Sequence, residues 1–147
     1  GPAMSLVTEM IARLQAIDPS PFALIEGAVE FASIDKVPPA VPAAYVFIKN
    51  EAAEENSRAT GKVLQRAEHD IAVVIITSNV SDATGAAAFD DIEALKVKVR
   101  GALVGFVPES SSGDPLEYVS GQILRFRSGT VWFETVFAAA SYIEEQS

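Results

Sequence analysis

The uncharged run Ile71-Ala72-Val73-Val74-Ile75-Ile76-Thr77 limits what this chain can fold into more than any other stretch. A strand wetted on one face alternates apolar and polar residues, but this run is apolar at both parities, so both of its faces must be covered. It predicts a central strand with layers on either side. No turn former separates Lys62 from Ile71, so the reading is one long strand, Lys62 to Thr77, with room for a bend or bulge. Gln65, Arg66 and Glu68 in its first half predict that this half projects past the core, with unpaired backbone groups where a neighbouring chain can dock.

Ser78-Asn79 ends the run, and Ser81, Asp82 or Thr84 is placed to accept bonds from the free N–H groups that open a helix. Phe89, Ile92, Leu95, Val99, Ala102, Leu103 and Phe106 then recur every three or four residues, one side of about six turns at 3.6 residues per turn. That side packs on the sheet. Asp90, Asp91 and Glu93 fall early and Lys96, Lys98 and Arg100 late, which suits the helix dipole, and Gly105 with Pro108 stops the helix. The acidic cluster reads as a solvated face, because no partner ligands for a metal stand near it. Val97 and Val104 fall nearly opposite the core stripe, one heptad apart, and make a candidate interface seam; the alternative is scattered surface apolar residues of no consequence.

Earlier in the chain, Leu6, Met10, Leu14 and Ile17, with Val7 and Ile11 beside them, form a short amphipathic helix that Asp18-Pro19-Ser20-Pro21 ends. Phe22 to Ala28 is a short strand candidate, Glu30 to Ile34 a single helical turn, and Val37 to Pro42 an extended connector. Ala44 to Ile48 is a strand. Asn50 to Gly61 is acidic, small and polar, which predicts a mobile or binding loop carrying Arg58 and leading to Lys62. Glu109 to Pro115 reads as a flexible surface loop.

The last third is a hairpin turning at Ser128-Gly129. Its register sets Phe126 opposite Val131, Leu124 opposite Phe133 and Ser120 opposite Phe137 on a core side, and Arg125 opposite Trp132 on the other. A guanidinium stacked on the indole would follow, worth about 0.5 to 2 kcal/mol. Arg125 and Arg127 would stand as a rare basic spot on an acidic protein, either a docking point or merely solubilising. The whole is an α+β domain, mostly antiparallel sheet with two helices packed on it, in the order α-β-β-β-α-β-β.

Several chemistries find no footing here. The 147 residues contain no cysteine, and the one histidine, His69, reads as an ordinary strand residue, since its neighbours Glu68 and Asp70 point to the opposite face. No Gly-rich phosphate loop, nucleophile elbow or zinc spacing occurs, so no catalytic, cofactor-binding or metal residues are assigned. A formal charge of −9 argues against a surface that grips nucleic acid. No apolar run is long enough to span a membrane and no secretory leader is visible, so the expectation is a soluble product made inside the cell. The 49% hydrophobic content supplies one core, so residues 4–147 are read as one domain, with Gly1-Pro2-Ala3 as an expression scar before Met4.

The pattern from Pro42-Ala43-Ala44-Tyr45-Val46, through Gln65-Arg66, Val73-Val74 and Asn79, to Asp82-Ala83, Gly85, Ala88, Asp90-Asp91-Ile92 and Leu95 resembles the tail-terminator proteins of long-tailed bacteriophages. So do Val99 to Phe106 with Pro108, Pro115-Leu116-Glu117-Tyr118, Gly121, and Gly129 through Val131-Trp132-Phe133 to Phe137. The likeness covers Met4 to Tyr142; its motifs are core and turn positions, whose order and spacing carry the weight. The resemblance implies a fold of two helices against a sheet and a non-enzymatic assembly factor without cofactors. Such a protein forms a ring, usually a hexamer, on the last ring of the tail tube, stops its polymerisation and presents a surface to a head-completion or connector protein. It also implies assembly in the host cytoplasm and a place at the head-proximal end of the virion tail, with no membrane partner. DNA would pass through the channel without specific binding, and six copies at −9 each would repel it. The resemblance transfers no interface residue; the candidates drawn from the residues themselves are Arg58, Lys62, Gln65, Arg66, Val97, Val104, Arg125, Arg127 and Trp132. Alternatives are another tail-tube or head-completion structural protein and, from a different class, a small-molecule-binding α+β domain with an apolar pocket.

Overall fold

The computed structural model describes residues 5–81 and 84–146. The chain runs α1 (Leu6–Gln15), β1 (Leu24–Glu26), α2 (Ala28–Ala32), β2 (Ala43–Ala53), β3 (Leu64–Ser78), α3 (Ala86–Leu103), β4 (Glu117–Arg127) and β5 (Thr130–Glu144). The strands form one sheet in the order β1-β2-β3-β5-β4, antiparallel except for β1 against β2. The expected order holds, with α2 as a short third helix where a single turn was expected.

The run Ile71 to Thr77 lies in the middle strand, and its two parities serve two cores. Ile71, Val73 and Ile75 point toward α1 and α3, where they meet Met10, Leu14, Ile92, Val99 and Phe137. Ala72, Val74 and Ile76 point the other way, toward Tyr45, with Phe31, Phe47 and Trp132 packed at the margin. The second layer is thin: Phe31 of α2 stacks on Phe47 at 4.9 Å and meets the edge of Trp132 at 6.0 Å. Both faces are covered, as the missing alternation required.

Helix α1 starts where Ser5 Oγ accepts the Thr8 amide at 3.2 Å and buries Met10 and Leu14 completely. Helix α3 is shorter than its periodicity implied, because Val104 is extended and closes it after Leu103, leaving Phe106 beyond the helix under the Arg13 guanidinium at 4.8 Å. Its N-terminus has no side-chain cap at Gly85, although Thr84 Oγ1 accepts the Ala86 amide at 3.4 Å; Asp82 lies outside the described residues. Lys96, placed late in the helix where it suits the dipole, is buried, and its ammonium sits 4.1 Å from the Phe133 ring centre while bonding Glu93.

The hairpin turns where predicted, with Ser128 at φ 52° and Gly129 at φ 78°. Phe126 opposes Val131 and Arg125 opposes Trp132, but then an extra residue enters β4. Ile123, not Leu124, opposes Phe133, and a second irregularity sets Tyr118 opposite Phe137 and Ser120 opposite Val136. On the expected core side Val131, Phe133 and Phe137 of β5 are buried, but the β4 half is wetted: Leu124 is 43% and Phe126 40% exposed, and Ile123, which takes Leu124's place opposite Phe133, 52%. The guanidinium over Trp132 is also absent from the described pairs; the indole keeps company with Phe31, and arginines stack instead on Phe106 and Tyr118.

Candidate functional site

No single cleft dominates this molecule, and the candidate residues fall into three places. The first is the far end of the sheet. Beyond the bulge at Lys49, β2 continues through Asn50–Ala53 and β5 continues past Ala138, so both flank the first half of β3. The half-strand expected to carry unpaired backbone is paired on both sides, and the first third of the expected loop, Asn50 to Ala53, is strand. The reason is cooperative: the small and polar residues Asn50 to Ala53 carry no strand signature of their own, but β3 offers them a ladder.

Within this arm the basic and amide side chains act as stitches. Arg58 Nη2 reaches Glu144 Oε2 at 2.6 Å and Arg58 Nη1 donates to the Lys62 carbonyl at 3.3 Å. Gln65 Nε2 donates to the Glu54 carbonyl at 2.8 Å, and Arg66 Nη1 meets Asp114 Oδ2 at 2.7 Å. That contact, with a bond from Ser112, holds the Asp114 carboxyl below its ordinary value. His69 is nearly buried, with Nε2 2.8 Å from Ser141 Oγ; Glu51 Oε1 lies 2.8 Å from Nδ1 but out of line for a ring N–H bond. It is the strand residue it was read to be.

The segment Glu109 to Pro115 is on the surface as expected, but it is tied at both ends. From α1, the Glu9 carboxylate accepts the Glu109 amide at 2.7 Å, the Ser110 amide at 3.1 Å and the Ser110 hydroxyl. From the arm, Arg66 holds Asp114. Burial pushes the Glu9 carboxyl up, but the Ser110 and Glu109 bonds outweigh it and hold the group below the ordinary value near 4.5. The depressed carboxyl stabilises the fold at pH values above 4.5, and that contribution fades as pH falls through its lower folded-state value. Glu9→Gln is expected to cost about 1–3 kcal/mol at pH 7, since bonds to a charged acceptor are lost. Urea unfolding of both proteins at pH 7 and in acid checks this: the gap between them should narrow in acid, and a constant gap would refute the assignment.

The second place is the outer side of α3. Val97 on the helix is 61% exposed and Val104, extended just past its end, 50% exposed, so both residues of the candidate seam are on the surface. The third is the free edge of the sheet. Strand β4 is an edge strand, and Val119, Ile123, Leu124 and Phe126 are exposed along it. At its turn end Arg125 and Arg127 join Trp132, Thr130 and Lys36 around an open cleft of about 420 Å³. Arg125, Arg127 and Trp132 were legible because a hairpin ribbon has two sides; Lys36 was not, since it sits in a segment without periodicity whose path only the fold reveals.

Among the described residues no three His, Asp or Glu side chains are grouped to hold a metal, and no helix is long and apolar enough to cross a membrane. What distinguishes the molecule is therefore surface: a stiffened arm, an outward valine pair and an apolar sheet edge with a basic end. It is a small α+β protein in which these exposed faces are the prominent features. The model of the phage tail terminator protein family matches residues 4–147, and the chain belongs to that family. A chain from the virion of a native gene transfer agent particle shares the fold with a TM-score of 0.60 at 20% identity, over 95% of this chain and 100% of that one. No curated protein sequence matches.

Proposed function

We propose that this chain ends the growth of a phage tail tube: copies close into a ring, six by the family resemblance, on the last tube ring and offer the head its docking surface. Family membership over residues 4–147 is the observation that carries this reading. The exposed apolar edge of β4 and Val97 and Val104 on and just past α3 are the kind of surface that subunit contacts cover. The role needs no bond-making chemistry and no cofactor. DNA crosses the channel without being gripped, because a chain of net charge −9 repels the phosphates and does not displace their counterions. The ring sits at the head-proximal end of the virion tail, between the tube protein and a head-completion protein, after assembly in the host cytoplasm.

Light scattering and electron microscopy of the purified protein, alone and with the tube subunit, test the reading. Closed rings of one size, free or on tube ends, are expected. Filaments of this chain alone would make it a tube protein. A monomer that ignores tube ends and takes up a small molecule would make it a ligand-binding domain.

A further inference from the structure

Charge is unevenly placed along the strands of this acidic protein. The basic cleft lies at the Ser128-Gly129 turn, lined by Lys36, Arg125 and Arg127 beside the half-buried Trp132. None of these three cations makes a hydrogen bond or ion pair among the described residues. At the opposite end, the β2–β3 connection carries Glu51, Glu54 and Glu55, all exposed. The Glu54 and Glu55 carboxylates likewise make no bond among the described residues, whereas Arg58 and Arg66 nearby are each taken up by internal partners.

The 15 residues of β3 separate the two ends, about 50 Å at the usual rise per strand residue. A chain cannot bring its own acidic tip to its own basic cleft. We infer that the cleft receives the Glu54–Glu55 tip of a neighbouring copy, a head-to-tail ion-pair contact that sets subunit order in the ring. Because the two patches are different surfaces, the contact is heterologous, the kind that forms a ring where its rotation closes and a filament where it does not. Arginine suits the cleft, since its planar fork donates two parallel N–H bonds to a carboxylate. The inference rests on the ring-forming reading above and adds the contact to it.

Charge reversal tests both. Arg125→Glu with Arg127→Glu, and separately Glu54→Lys with Glu55→Lys, should each leave the thermal melt in place, since all four residues are exposed, and each should lose the ring by light scattering and microscopy. Mixed in equal amounts, the two variants should form rings again. In strict alternation each reversed cleft then meets a reversed tip and each unreversed cleft an unreversed tip, opposite in sign at every contact, which an even-membered ring permits. Rings that persist in either variant, or that fail to return in the mixture, overturn this contact, the second case assigning the cleft to an acidic segment of another protein. A wild-type chain that makes no ring with or without tube ends overturns the terminator reading instead.

Discussion

Phe137→Ala is expected to lower the stability of the fold by about 3–5 kcal/mol, the range for removing a buried ring. Phe137 has no exposed surface, pairs with Ile71 of the central strand on one side and opposes Tyr118 of β4 on the other, and meets the Tyr118 ring edge-on at 5.5 Å. It thus ties the middle of the sheet to the edge strand beneath α3. Truncation removes the transfer energy of the ring and leaves a cavity that neighbours on a three-strand ladder cannot collapse to fill. Denaturant unfolding measures the loss, with the slope unchanged if only stability is affected. A loss under about 1 kcal/mol would mean that the β4 side of the core is loosely packed.

Gly85→Ala should cost about 2–4 kcal/mol, from two separable causes. Gly85 has φ +82°, a region that costs an L-residue about 1–2 kcal/mol. A methyl there would also collide with the Phe126 ring, which is held 5.2 Å from Phe89. Gly105 supplies the control: its φ is +86°, but a methyl would meet nothing within 4 Å. Gly105→Ala should therefore show the backbone cost alone, and the difference between the two variants measures the collision. Equal losses would mean that Phe126 swings away freely, which would also place the β4 edge in motion.

The central strand and the main helix could be read from residues alone because each signal is local. An apolar run at both parities has one meaning in a sheet, and Ile92, Leu95, Val99 and Leu103 repeat at the helical period. The turn at Ser128-Gly129 was equally plain, and the register beside it held for Phe126 and Arg125. It failed at Leu124, because Ile123-Leu124 is apolar at both parities and an extra strand residue leaves no mark in such a pair. The arm was misread for a different reason: Asn50 to Ala53 become strand by pairing with β3, a choice made by the neighbour and not by their own composition. Of the candidate site, Arg125, Arg127 and Trp132 came together with Lys36, while Arg58, Gln65 and Arg66 turned inward as stitches and Lys62 gave its carbonyl to Arg58. A basic residue's employer is decided by which carboxylate the fold brings near, and Glu144 and Asp114 lie far from Arg58 and Arg66 in sequence.

Tube growth measures the central claim most directly. Purified tube subunit is polymerised with increasing amounts of this chain, and tube lengths are followed by electron microscopy. Growth that stops, with one ring of this chain at one end of each tube, is the predicted result. Tubes that lengthen at the same rate and carry no ring, or that incorporate this chain along their length, would contradict it.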